Sequence, residues 1–548
     1  MKQGYNKIIV AVLSAFTIAG AFSHCTKLDD NVYTTIVADK YPYTENDLVR
    51  ILGNAYTPWR NVVMGAMTQS QEISADATLI PVHPWGWNGT TINMHLHSWT
   101  SETGEATGRW GELYTGINNA NQVIYQLESG LIPITDPDQK ASLLAELRAV
   151  RASYYYMLCD YFGNVPYVTD FNVPQGFLPL QTPRAALYDS IVGEIKSSLP
   201  YLSDKVDQST YGRFTKWGAY ALLAKMYLNA QVYSGKPHWQ DCINACDSVI
   251  NSAKFSLSGN HKDIFRANNS TSTEAVFAVP FDQSYASGLQ LFNWYLNGQF
   301  ARVYTTKSGG GWGGSVAIPQ FINTFDPEDT RLTDDYLIGQ QKYPDGTNVN
   351  CEIGESAGKP MNLVNMVPGL NWAEELHGYH LAKYEYVAGM SPGAMSNDIF
   401  PFRYTDVLMM KAECLLRLGK ANEAAAIVTQ VRQRAFKNNP AKAVVTGPQL
   451  IQGSSYDYGL RETNYSNKIT NARVTHEGGG DIEYGRFLDE LGWEFNQEGR
   501  RRQDMIRFGI FTTKSWLSHQ ATNNNNKILY LIPQTEIDKN PNLKQNNN

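Results

Sequence analysis

The chain has 548 residues, with Lys+Arg 46 against Asp+Glu 52 and a formal charge of −6. That balance argues against a binder of bulk nucleic acid, which needs a strongly basic footprint. Charged residues are 18% and aromatics 12%, which excludes a disordered chain and leaves a large, aromatic-rich globular protein.

The first segment is an address. Lys2 and Lys7 precede an uncharged apolar run over residues 8–22. As a helix that run spans about 22 Å, short of the roughly 30 Å hydrocarbon core, so residues 1–24 read as a signal peptide. It ends in Ser23-His24-Cys25, which resembles a bacterial lipobox whose cysteine is lipidated and becomes the first mature residue; His24 departs from the usual small residue there. The other five cysteines, Cys159, Cys242, Cys246, Cys351 and Cys414, are odd in number and cannot all pair internally. Cys242 and Cys246 share a helix face and read as buried free thiols.

Helical patterns follow. Thr182-Pro183 reads as an N-cap with proline at the first helical position, and Leu187, Ile191, Ile195 and Leu199 form one apolar stripe. Residues 215–252 read as a helix–turn–helix pair of tetratricopeptide size, with Trp217, Trp239 and their stripes facing the core. A similar pair is expected over 403–435 and a looser one over 114–127 and 143–162. Each pair buries its face only against a neighbour, so together they predict a stacked helical scaffold, mainly over 40–255 and 400–510. Residues 259–395 lose helical periodicity and are rich in Gly, Asn, Ser, Thr, Tyr and Trp. They predict an irregular, loop-rich lobe carried by that scaffold, where binding function commonly resides. The fold class is therefore all-α, tetratricopeptide-like, with one irregular lobe.

Four ordered stretches carry a family resemblance: RAVRASYYY at 148–156 running on to YFGNVP at 161–166, GRFTK at 212–216, FRYTDVL at 402–408 with KAE at 411–413, and EGRRRQDMIRFG at 498–509. With the closing YLIP at 530–533, these resemble the SusD/RagB family of outer-membrane glycan-binding lipoproteins over essentially the whole mature chain, residues 25–542. The resemblance implies a lipid-anchored, surface-exposed protein of the outer membrane that binds oligosaccharide, partners a SusC-like TonB-dependent transporter in nutrient uptake, and is not an enzyme. A peptide-capturing lipoprotein of the same importer type is the alternative.

Neutral sugars offer apolar C–H faces and rings of hydroxyls, so aromatic platforms with polar neighbours suit them. Two segments have that composition. His83, Trp85, Trp87 and Asn88 form one; the Trp-x-Trp spacing puts both rings on one side of an extended loop. Trp294, Tyr295 and Trp312 form the other, with Trp312 inside GGGWGG (309–314), where glycines leave an indole uncovered. In the resemblance, Trp87 matches a sugar-stacking tryptophan, Trp312 a Gly-Trp element of the glycan site, and Tyr295 its tyrosine. The low charge favours a neutral polymer such as an α-glucan. Trp217, Trp239 and Trp493, on helical stripes, read as core.

Other chemistry fits less well. His95-Leu96-His97 has no third ligand at a metal-binding spacing. Asp326, Glu328 and Asp329 lack the EF-hand pattern. The 309–314 glycines lack the Lys-Ser/Thr of a phosphate loop. Glu490, Glu494 and Glu498 read as a solvated helix face rather than a catalytic carboxylate pair. Arg403 and Asp406, and Arg500, Arg501 and Arg502 beside Glu494 and Glu498, read as ion pairs fastening the last long helix. No cofactor and no metal are expected.

Overall fold

The computed structural model describes residues 45–84, 91–304, 310–390, 393–464 and 472–547. Its frame is helical. Helix α1 (Glu45–Tyr56) and α2 (Trp59–Gly65) lead in, followed by two long helices, α3 (Gly104–Glu128) and α4 (Pro137–Tyr161). Asp136 starts α4 by accepting from the backbone N–H of Asp138 at 2.9 Å, with Pro137 in the first turn where its missing N–H does no harm. Then come α5 (Arg184–Ser198), α6 (Lys216–Leu228) and α7 (Trp239–Ile250). Thr215 caps α6 through its side chain.

The start of α5 differs from the expectation by one residue. Pro183 occupies the N-cap position and has no side-chain acceptor. The Asn164 side chain accepts from Arg184 N–H at 2.8 Å instead, so a loop 20 residues upstream supplies the cap. Thr182 is thereby free to pair with Val165 in a short antiparallel ladder.

The expected helix pairs form. Helix α3 packs on α4, α4 on α5, α6 on α7, and α8 (Tyr404–Arg417) on α9 (Ala421–Arg432). Helix α7 also packs directly on α8, although some 150 residues separate them in sequence. The helical array is continuous across that gap, and residues 251–403 are an insertion into it. Strands β2 (Ala275–Val279) and β6 (Ile399–Arg403) pair antiparallel and bring the two ends of the insertion together. Cys242, Cys246 and Cys414 are free and buried at the α7–α8 contact.

The all-α expectation needs one correction. A four-stranded antiparallel sheet runs in the order β1 (Thr78–Leu79), β3 (Val316–Ala317), β5 (His380–Leu381) and β4 (Tyr336–Leu337). Each strand is two residues long, too short to leave a period-two signature.

Helices α10 (Gly485–Phe495) and α11 (Arg501–Arg507) close the body. Here the reading of a solvated acidic face is overturned, because Glu490 and Glu494 are fully buried. Arg331 reaches Glu490 at 2.9 Å and Glu494 at 3.2 Å, while Arg403 reaches Glu494 at 3.0 Å and Glu498 at 2.7 Å. The arginines of the closing motif take other partners: Arg501 pairs with Asp76 at 2.7 Å, Arg502 with Asp160 at 3.0 Å, and Arg500 with Asp504 and Asp406. They fasten the last helix to the scaffold, as read from the sequence. Burial alone would raise the Glu490 carboxyl, but Arg432, Arg331 and Arg486 beside it hold it down at about 2.

Of the three helical tryptophans, Trp493 is interior, whereas Trp217 and Trp239 are half-buried. His95 and His97 are buried and pack with His519, whose ring lies 4.1 Å from that of His97. Asp326 and Glu328 pair with Lys442, and Asp329 with Arg331.

These buried groups set an acid limit. Burial pushes His83 and His97 down to about 3, and His95, His377 and His380 down to about 4. Unfolded histidine takes a proton near pH 6.5 while these folded ones do not, so stability falls as pH drops from 6.5 towards 3. Glu490 adds to the loss between about 4.5 and 2. Glu72, held up at about 6 by burial, acts in the opposite sense between about 6 and 4.5, while His261, whose buried ring is raised by Asp335 and Glu494, makes its change above pH 6.5 and leaves this range untouched. Each unit of depression is worth about 1.4 kcal/mol, so the urea midpoint is expected to fall steeply between pH 6.5 and 4. A midpoint that stays level to pH 4 would contradict the burial of these histidines.

Candidate glycan platform

The register of β1 on β3 pairs Thr78 with Ala317 and Leu79 with Val316. Because the pair is antiparallel, the chain leaving β1 runs beside the chain entering β3. Those are the two aromatic segments singled out in the sequence. The ring nitrogens of His83 lie 3.1 Å from the carbonyl oxygens of Gly314 and Ala373. A neutral imidazole donates to one of them. His83 thus sits against the residue two places after Trp312. Trp85, Trp87 and Asn88 lie outside the described residues.

Trp312 is 43% exposed, a high value for an indole. Its ring meets that of half-buried Trp294 edge-to-face, with centroids 6.3 Å apart at 73°. That geometry suits the aromatic quadrupoles and orients the outer ring. The backbone beneath is braced: Trp312 N–H donates to Asn293 O at 2.7 Å, Gly313 N–H to the same oxygen at 3.0 Å, and Ser315 Oγ to Trp294 O at 2.8 Å.

Glycine is required here by close approach. A Cβ on Gly313 would fall 2.0 Å from Trp294 O, and one on Gly311, whose φ is +75°, 2.3 Å from Asn297 O. The loop therefore presses its backbone onto the short helix Leu291–Tyr295. Gly313→Ala is expected to lift the loop off that helix, lowering stability by about 1–3 kcal/mol and weakening glycan binding with it. Melting and titration of the variant check this; wild-type values in both would show that the loop is not so held.

Two expected contacts are corrected. His83 and Tyr295 are each only 2% exposed. His83 is held among backbone carbonyls and braces the loop from behind. Tyr295 lies beneath it, its hydroxyl without a hydrogen-bond partner among the described residues and its carbonyl oxygen 3.2 Å from His380 Nδ1. Consecutive residues on a one-turn helix point in different directions, so Trp294 faces outward and Tyr295 inward. The sequence reading missed Tyr285, which is 95% exposed. Asp282 holds it out by accepting from the N–H groups of Ser284 and Tyr285, both at 2.8 Å. The Asp-Gln-Ser sequence of that Asx turn was the available signal.

A helix-pair frame that holds indole and phenol rings outward on braced loops is the build of a binding protein. The chain belongs to the SusD/RagB family: the SusD family model matches residues 273–548, and a model described as starch-binding, associating with the outer membrane, matches residues 44–228. A SusD-like protein of Formosa agariphila is 23% identical over 92% of this chain and 90% of its own length. The starch-binding protein SusD of Bacteroides thetaiotaomicron is 24% identical over 84% and 82%. Among solved structures, surface glycan-binding protein A from Bacteroides thetaiotaomicron in complex with laminarihexaose superposes with a TM-score of 0.67, at 18% identity, covering 92% of this chain and 100% of that one. B. fragilis NanU gives 0.69 at 19% identity, covering 94% and 99%. These relatives are SusD-type binding proteins, not enzymes. Among the described residues no helix is long and apolar enough to cross a membrane.

Proposed function

We propose that the protein binds oligo- or polysaccharide at the outer surface of the outer membrane, anchored through lipidated Cys25, and passes it to a SusC-like TonB-dependent transporter. Trp312 forms the sugar platform with Trp294 as its brace, and Trp87, Trp85 and Asn88 extend it from the neighbouring segment. The observation carrying this reading is the exposed, backbone-braced Trp312 beside the chain segment that leads into Trp85 and Trp87. Starch and laminarihexaose, named for two relatives, are neutral glucans, in keeping with the low charge of this chain.

A glycan array probed with the lipid-free protein tests the ligand class. Retention of neutral glucans is expected, and retention of no glycan at all would refute the proposal. For the anchor, Cys25→Ala should abolish fatty-acid labelling in a bacterial host; persistent labelling would disprove lipidation at that residue.

A further inference from the structure

A second cleft, of about 830 Å³, opens elsewhere on the body and shares no lining residue with the tryptophan pair. That volume lies within the roughly 300–1,000 Å³ of small-ligand sites. Its walls are one face of α1 from Leu48 to Tyr56 running on into the first turn of α2, the start of α4, the loop over residues 203–215 and the end of β2 running into Pro280. Among the described residues, three cations line it against one carboxylate. Arg213 and Glu146 satisfy each other in a two-point pair at 2.9 and 2.6 Å. That leaves Arg60 and Lys205, neither of which pairs with a carboxylate among the described residues. Arg60 is positioned by its Nε, which donates to Pro280 O at 3.3 Å, and by the Phe281 ring beneath it. Its two terminal NH₂ groups make no hydrogen bond among the described residues. The nearby Asp207 carboxylate accepts from Ser209 and makes no direct ion pair with Lys205, although the lysine's charge reaches it.

The rest of the lining suits a sugar. The rings of Tyr56 and Tyr211 are half-buried, and both are fixed, because Tyr56 donates to Glu146 and Tyr211 to Asp398. Rigid rings with engaged hydroxyls are flat platforms whose ordering cost is already met in the fold. Gln139, Ser142 and Gln208 line the cleft with side-chain groups that make no hydrogen bond to the described protein. A planar guanidinium fork matches a carboxylate at two points, and a lysine adds a point charge.

We propose that this cleft is a second carbohydrate site, selective for a sugar bearing a carboxylate, with Arg60 and Lys205 holding the anion, Tyr56 and Tyr211 covering ring faces, and Gln139, Ser142 and Gln208 meeting hydroxyls. The proposal takes its ligand class from the glycan-binding reading above but does not depend on the tryptophan platform. It lets one protein hold a neutral stretch of polymer at Trp312 and an acidic unit here.

The test is calorimetry of the whole soluble chain with tetramers of galacturonate, glucuronate and mannuronate, alongside a neutral glucan hexamer. At least one uronate tetramer is expected to bind. Its affinity should fall at least tenfold in Arg60→Ala and in Lys205→Glu, weaken with added salt, and stay unchanged in Trp312→Ala. Lys205 is exposed, so its variant reports on binding even if Arg60→Ala perturbs the fold. Wild-type uronate binding in both variants, or loss only in Trp312→Ala, would overturn the proposal. So would failure of all three uronates, whether or not the neutral hexamer binds, and that outcome leaves the platform reading to be decided by the glycan array.

Discussion

Trp312→Ala is expected to weaken binding of the best glycan from the array by about 1–3 kcal/mol, roughly 5- to 150-fold, without lowering the melting temperature. The separation of the two effects follows from exposure. A 43% exposed indole contributes little to the core, and the backbone under it is held by Asn293 and Trp294 whichever side chain position 312 carries. What alanine removes is a flat apolar face whose orientation the edge-to-face contact with Trp294 has already fixed. Trp312→Phe keeps a smaller face and is expected to fall between alanine and wild type. Trp294→Leu removes the brace but not the platform, so a smaller loss is expected. Titration calorimetry on the four proteins orders them. An unchanged affinity in Trp312→Ala would move the sugar contact away from this loop.

The helix pairs were legible because each carries its own apolar period, and a period of 3.6 is a local property of the chain. The contact between α7 and α8 was not, since only the folded array shows that residues 251–403 interrupt two neighbouring helices. Trp312 was legible through its glycines, although these turn out to serve close backbone approach as well as exposure. Tyr295 was misplaced because a one-turn helix gives no periodicity from which to tell its inner face. The acidic line at Glu490 and Glu494 was misread for a related reason. Spacing correctly put them on one face, but their partners Arg331, Arg403 and Arg434 come from segments roughly 60 to 160 residues away. The Arg60 cleft left no sequence signal, because four separate segments supply its walls.

Those distant partners carry the largest expected effect on stability. Arg403 is fully buried, at the end of β6, where the insertion rejoins the scaffold. It donates to Glu494 at 3.0 Å and to Glu498 at 2.7 and 2.8 Å, and it lies 3.3 Å from Glu274 just before β2. One guanidinium therefore joins both ends of the insertion to α10 and to the turn that follows it. Arg403→Met preserves much of the volume but leaves those carboxylates with fewer cations in a buried site. The expected loss is about 3–5 kcal/mol, the penalty for breaking a buried pair from one side. Arg434 and Lys383 remain beside Glu494 and Glu498, which favours the lower part of that range. The sign of the pH dependence separates this mechanism from a packing defect. Unpaired carboxylates become easier to protonate, so the deficit relative to wild type should shrink as pH falls from 7 towards 5, whereas a cavity would cost the same throughout. Urea unfolding of both proteins at several pH values measures it, and a loss below 1 kcal/mol at pH 7 would show that Arg403 does not hold the insertion in place.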